Sequence, residues 1–499
     1  MKRNVSSDPP YKSSDLGHPL PDSKYAVSVS LPTWDSVIGY EEGRDSVINK
    51  LQTGYPRFFV SPIIKSLEFN VLRDLNLSSD QRCLLFDVEN TAVRCQKFIV
   101  DRTDGWEVLI KPIFHGKAYA VVFPIQIEQV AKKFWRFFGE GVSVRRAKSF
   151  LANRTDEKNQ GGEAVDQIKE KISQDTGQDI ENIFIYPSGM AAVSATHRAL
   201  TKIRPNARSV QFDFPYVDVL KLQQEIGSGV IFLPSADSES ITKLKDIIDK
   251  GELLCGIYCE VPSNPLLRSA DLAAIKAVVN SSNIPIVVDD TVATNVNVNV
   301  FKYADVVTTS LTKYYSGAGD VIAGAVIVNS SSAHAEEIIS QLKNQGDACL
   351  FFEDALVLRN NMSDYNQRIA RINETTPRLV DLLIEDPLIE KVWYPKYETR
   401  ESYDAVRRSG GGFSGLFSIK LKNSEEKAQH FYDALKLCKG PSLGANFTLV
   451  CPYTLLAHYD ELDWCEKHGV SKWLIRISVG LESYEFLSKR ILEALDEIR

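Results

Sequence analysis

Histidine is scarce in this chain. The 499 residues hold seven, and none stands in an HExxH or similar pair, which removes a common ligand spacing for a catalytic metal. The eight cysteines (83, 95, 255, 259, 349, 438, 451 and 465) make neither the dense framework of a disulfide scaffold nor a pair of CxxC knuckles. Cys255 and Cys259, four apart in LLCGIYCEV, sit in what reads as a buried strand, so packing is expected of them and no metal site is expected anywhere. No run reaches the roughly 18 apolar residues of a membrane span. The opening MKRNVSSDPPYKSSDLGHPLPD lacks an apolar h-region and reads as a flexible polar arm on a soluble, cytoplasmic protein. A basic excess is missing too: 58 Lys and Arg against 65 Asp and Glu give a net charge of −7, no global attraction for nucleic acid or an anionic membrane. The expected partner is a small molecule.

What is abundant is alternation of apolar runs with helical patterns. NIFIYP precedes GMAAVSATHRAL, RSVQF precedes YVDVLKLQQEIG, GVIFL precedes SITKLKDIIDK, and ELLCGIYCEV, IPIVVDD, ADVVTT and VIAGAVIVN continue the series. Continuous Val/Ile/Leu strands between helices predict an α/β fold with a mostly parallel sheet covered on both faces. From residue 353 a long helical stretch, the alternating GLFSIKLK, and a last strand and helix predict a smaller α+β domain. The division expected is an N-terminal extension over 1–140, a polar arm and then an α/β segment of unassigned role, a large domain over 141–345 and a small domain over 346–499.

In open α/β sheets ligands gather beyond the carboxyl ends of the strands, so polar residues just after apolar runs are the ones to collect. Ser188, Gly189 and Met190 open a helix after a strand, an entry that suits a phosphate and equally suits a plain cap. Asp289 and Asp290 end IPIVVDDT, where a buried carboxylate calls for a cationic or hydrogen-bonding partner; a protonated ring nitrogen, a helix cap or a loop ion pair would each answer. Ser310 and Thr312 alternate with Leu311 in SLTK, so both hydroxyls are expected to face one side and reach a phosphate, with Lys313 next to them. A desolvated lysine among cations becomes a nucleophile for carbonyls, although a single lysine is ordinarily a surface cation. Asn264 precedes Pro265 at a strand end, as a phenol partner or as an ordinary turn. Arg476 lies inside the apolar WLIRISVG, paired with a core carboxylate or offering its fork to a substrate.

Taken in order, SGM at 188–190, PSNP at 262–265, VVDDT at 287–291, SLTKYYSG at 310–317 and LIRISVG at 474–480 resemble the motifs of the Cys/Met-metabolism family of pyridoxal-phosphate enzymes. LGHPLPDSKYAVSVSLPTWDSVIGYEEG, TGYPRFF, GVSVRRA, FPYVDVLKL and GPSLGANFTL are most similar to its fungal cystathionine γ-synthase branch. The resemblance implies an aminotransferase-like (fold type I) domain that binds pyridoxal 5'-phosphate, with Lys313 as the Schiff-base lysine and Asp289 as the pyridinium partner. It further implies Asn264 on the ring hydroxyl, Gly189, Met190, Ser310 and Thr312 around the cofactor phosphate, Ser188 and Thr291 among the other cofactor contacts, and Tyr216 stacked on the ring and able to relay protons. Arg476 would bind the substrate α-carboxylate beside Ser442. Relatives clamp the phosphate with a Tyr-x-Arg pair from a neighbouring subunit, which implies a homodimer or homotetramer; Arg145 is the expected counterpart here, with Tyr55 and Arg57 as the alternative. Three positions depart from the family pattern: Ala318 for a histidine, Pro441 for a glutamate and Asp290 for an asparagine. The implied reaction joins an O-acylhomoserine to cysteine by γ-replacement. Elimination by a cystathionine lyase, use of sulfide by an O-acetylhomoserine sulfhydrylase, and a non-catalytic binding or regulatory homologue are the other readings.

Overall fold

The start of the chain is pinned, not free. A computed structural model of the protein describes residues 3–154, 158–347 and 349–499, with 158–161 in backbone only. Arg3 ties the first turn to Asp8 and Asp15 at 3.0 and 2.8 Å. Two short antiparallel strands, β1 (Pro19–Leu20) and β2 (Ser28–Val29), then lead to the helix Trp34–Glu41, capped by Thr33 accepting from the Ser36 amide. The Ser28 hydroxyl donates to the Pro441 carbonyl at 2.6 Å, and the Leu31 amide to the Lys439 carbonyl at 2.8 Å. Trp34 stacks on Trp473, ring centroids 5.8 Å apart, and meets Tyr432 edge-on. Just beyond the polar arm, the apolar positions Val29, Leu31, Trp34 and Val37 share one core with the C-terminal domain.

Residues 62–138 form a unit of their own. β3 (Gln81–Phe86), β4 (Leu109–Ile113) and β5 (Ala118–Pro124) make an antiparallel sheet in the order β3-β5-β4. Side chains alternate across it. Cys83, Leu85, Ala120 and Val122 pack under the helix Pro62–Asp74. Leu84, Phe86, Val121 and Phe123 pack under Glu89–Val100 and Glu128–Phe138, in a layer completed by Met190, Val193, Val219 and Leu222 of the large domain.

The large sheet contains β6 (Ile183–Tyr186), β7 (Arg208–Phe212), β8 (Val230–Leu233), β9 (Leu254–Glu260), β10 (Ile286–Asp289), β11 (Val306–Thr309) and β12 (Gly324–Val328), ordered β6-β12-β11-β10-β9-β7-β8. Only β12 runs antiparallel. All seven residues of β9 are buried, as a strand covered on both faces requires. The mostly parallel sheet expected from the sequence is present.

The small domain carries β13 (Ile389–Trp393), β14 (Leu416–Leu421), β15 (Cys438–Lys439), β16 (Leu449–Pro452) and β17 (Ile475–Ser478), ordered β13-β14-β17-β16-β15. The stretch read as one long helix is two, Phe352–Asn361 and Tyr365–Glu385. The Asn-Asn-Met-Ser-Asp run favours side-chain hydrogen bonds over helix. Arg368 takes the freed Asn361 carbonyl at 3.1 Å together with the carbonyls of Tyr314 and Tyr315, so the break points a guanidinium at the Lys313 segment. Among the described residues no helix is long and apolar enough to cross a membrane.

Candidate active site

The carboxyl ends of β9, β10 and β11 open into a cavity of about 1070 Å³, closed on the other sides by the small domain and by the segment around Tyr55. β10 ends at Asp289, whose carboxylate accepts from the Thr291 amide at 2.8 Å, and the Thr291 hydroxyl in turn accepts from the Ser310 amide at 2.8 Å. On the neighbouring strand Glu260 stands level with Asp289 and accepts from the amides of Tyr216 (2.6 Å) and Asn264 (2.9 Å). Burial raises the pKa of both carboxyls. An entering cation would relieve that cost.

Across the cavity Arg476 on β17 donates to the Asn264 side-chain oxygen at 3.0 Å and to the Ser442 carbonyl at 2.7 Å. Ser442 has a left-handed backbone, φ 86°, and its hydroxyl meets the Lys313 amine at 2.7 Å. That amine lies 4.3 Å from the Tyr55 ring centroid. Burial, then the charges of Arg476 and Arg57, push its pKa well below the usual lysine value. That shift favours the neutral amine, the form that acts as nucleophile or base.

The cavity suits a phosphate-bearing cofactor. Ser310 keeps a buried hydroxyl with no partner. Gly189 begins the helix Gly189–Ile203 so close to it that a β-carbon there would lie 2.9 Å from the Ser310 Cβ. Bare backbone at a helix N-terminus beside an unpaired hydroxyl is a site for an anion. Gly189, Ser310, Lys313, Asp289, Asn264 and Tyr216 all line one space, and so do Met190, Thr291, Ser442 and Arg476.

Three expected ligands lie elsewhere. The Ser188 hydroxyl is spent on the cap, accepting from the Ala191 amide at 3.0 Å and donating to the Gly139 carbonyl at 2.7 Å. Thr312 does not share a side with Ser310, because β11 ends at Thr309 and the chain turns; its hydroxyl bridges the carbonyl and amide of Ala323 at 3.2 and 3.1 Å. Arg145 pairs with Asp354 at 2.8 Å and lies over the Tyr25 ring, outside the cavity. The alternative pair, Tyr55 and Arg57, is the one that lines it, and it comes from the same chain.

Sequence reading missed Glu260 and Asp218. Glu260 ends an apolar strand, the same signal that picked out Asp289. Asp218 carried a weaker sign, a carboxylate inside the apolar PYVDVL two residues after Tyr216.

Residues 163–496 match the family described as Cys/Met metabolism PLP-dependent enzyme. The chain belongs to that family. Residues 63–143 match the N-terminal domain of fungal trans-sulfuration enzymes, which accounts for the three-stranded unit. Cystathionine gamma-synthase of Neurospora crassa is 32% identical, with 98% of each chain covered, and that of Saccharomyces cerevisiae is 32% identical over 96% of this chain and 98% of its own. The crystal structure of metB from Corynebacterium glutamicum, 24% identical, covers 66% of this chain and 84% of its own with a TM-score of 0.58 and shares the fold. This member of the Cys/Met metabolism family is thus a transsulfuration-type enzyme that uses pyridoxal phosphate.

Proposed function

We propose that the chain is a cystathionine γ-synthase, joining an O-acylhomoserine (acetyl or succinyl) to L-cysteine by γ-replacement. The observation that carries the reading is the buried Lys313 amine, held by the Ser442 hydroxyl in a cavity of about 1070 Å³, roomy enough for the cofactor and two amino acids together. Likeness over nearly the full length to the cystathionine gamma-synthases of Neurospora crassa and Saccharomyces cerevisiae supports replacement.

The residues would divide the work as follows. The free donors of Arg476 take the substrate α-carboxylate, while Asn264 steadies that guanidinium and keeps its amide N–H for the phenolic oxygen of the cofactor. Asp289 would face the ring nitrogen, whose protonated form is the cationic partner that its buried carboxylate lacks. Ser310 and the amides at Gly189 receive the phosphate. Bound there, the cofactor supplies an electron sink. Lys313 would remove the α-proton, give it up to the bound cofactor so that its amine is free again, and then remove a β-proton. The Cγ–O bond breaks and the carboxylic acid leaves, the cysteine thiolate forms the Cγ–S bond, and Lys313 returns the protons in reverse. Tyr216, which lines the same cavity, would be placed to stack on the ring and relay a proton. The family's oligomeric habit and a cytoplasmic setting belong to the same proposal.

Product analysis tests it. Protein supplied with pyridoxal phosphate, cysteine and either O-acetyl- or O-succinylhomoserine is expected to form cystathionine, and Lys313→Ala to form none. Release of 2-oxobutyrate from cystathionine as the dominant activity would make it a lyase, and preference for sulfide a sulfhydrylase.

A further inference from the structure

Asp218 is fully enclosed, its side chain 0% exposed, and receives three donors from three parts of the fold. Arg57 reaches it from the segment before the three-stranded unit at 2.5 Å, Arg136 from the last helix of that unit at 2.7 Å, and the Tyr216 hydroxyl from its own helix entry at 3.1 Å. The second arm of Arg57 donates to the same Tyr216 oxygen at 2.6 Å. Carboxylate, guanidinium and phenol thus close a ring of hydrogen bonds in which Tyr216 both donates and accepts. Arg57 also holds the Arg136 carbonyl at 2.5 Å. With no step of the γ-replacement assigned to it, a buried carboxylate with this many partners still needs a role.

We propose that Asp218 is the positioning residue of the wall facing Lys313, holding the Arg57 fork against the Tyr216 hydroxyl so that the phenol keeps its proton and its place beside the amine. The proposal deepens the preceding functional reading and rests on it only in that Tyr216 and Lys313 share one cavity.

The charges favour such a role. Two guanidiniums and one carboxylate leave the wall with one net positive charge; without Asp218 it would carry two, beside a phenol able to ionise. Tyr216 is faced by Arg57 and Tyr55 from the preceding segment, Arg136 from the N-terminal unit, Asp218 on its own helix and Tyr453 from the small domain. Burial raises the Tyr216 pKa; Arg57 and Arg136 oppose that, and Asp218 adds to it. For Asp218 itself, burial is overcome by Arg57 and Arg136, which hold it below the usual carboxylate value. The pair is thus a carboxylate and a neutral phenol.

The test compares phenolate absorbance of the cofactor-free protein in Asp218→Asn and in Asp218→Asn/Tyr216→Phe. Their difference isolates Tyr216. The amide keeps the shape and loses the charge, so the Tyr216 ionisation constant is expected to rise at least about tenfold over that of the unaltered protein, and kcat of the loaded enzyme to fall about 100-fold, more than KM changes. A merely structural Asp218 would lower the melting temperature with no phenolate shift, and that result overturns the proposal. Should Asp218→Asn fail to fold, Arg57→Gln gives the second reading: the same fall in kcat with no earlier phenolate. Native kcat in Arg57→Gln would also overturn it. Because the titration uses neither substrate nor cofactor, a shifted phenolate without cystathionine formation would retain the positioning role and refute the reaction.

Discussion

The cavity has two walls of different manufacture. One is the edge of the parallel sheet, where Asp289, Glu260 and Ser310 follow buried strands and owe their places to the backbone ladder. The other is assembled from the segment at Tyr55 and Arg57 and the helix bearing Arg136, and is fastened to the large domain through Asp218. A ladder fixes a residue to a few tenths of an ångström whatever its charge, whereas an ion cluster fixes it only while every member is ionised as required. Rigid placement of the reacting groups is thus combined with a wall whose geometry depends on charge.

The largest expected effect asks whether the second wall belongs to the same chain as the first. Subunits carrying Lys313→Ala made together with subunits carrying Arg57→Ala are expected to remain about 200-fold below the native rate, since neither has a whole cavity; recovery in the mixture would mean that Arg57 serves a neighbouring chain.

Next comes Asp290, behind the sheet wall. Burial, then Asp289, raises its pKa from 3.8 to about 7, and one carboxylate oxygen has no partner. A folded-state pKa above the unfolded one means stability present below about pH 4 and lost as pH rises through 7. Asp290→Asn is therefore expected to stabilise the protein progressively between those values and by about 4 kcal/mol above them; urea unfolding at pH 5 and pH 8 measures it, and equal gains at both would contradict it.

Arg476→Lys keeps the charge and removes the fork, so KM for the amino-acid substrate is expected to rise about 30-fold. Smallest is the contrast between neighbours. Ser310→Ala is expected to weaken cofactor binding about tenfold, while Thr312→Val leaves binding intact and costs about 1–2 kcal/mol of stability, because the Ala323 amide and carbonyl lose their partner.

The two walls also differ in how far the sequence reveals them. Strands such as LLCGIYCEV announce a covered sheet, and the rule that ligands lie beyond strand ends leads directly to Asp289, Asn264 and Lys313. It fails at Thr312 for a local reason: alternation ceases once β11 ends at Thr309. Arg57 is different in kind, since its carboxylate lies 161 residues away and no local pattern joins them. Arg145 is the expected counterpart of the relatives' phosphate-clamping arginine, but Asp354, 209 residues on, claims it.

The pinned start of the chain has a consequence for synthesis. Ser28 must wait for Pro441, 413 residues later, before its hydroxyl has this partner. At about 5–20 residues per second that is roughly 20–80 s during which Val29, Leu31 and Trp34 leave the ribosome with no core to enter. The nascent chain thus trails an apolar tether while its middle folds, and chaperone demand should fall on the first fifty residues and not on the catalytic sheet.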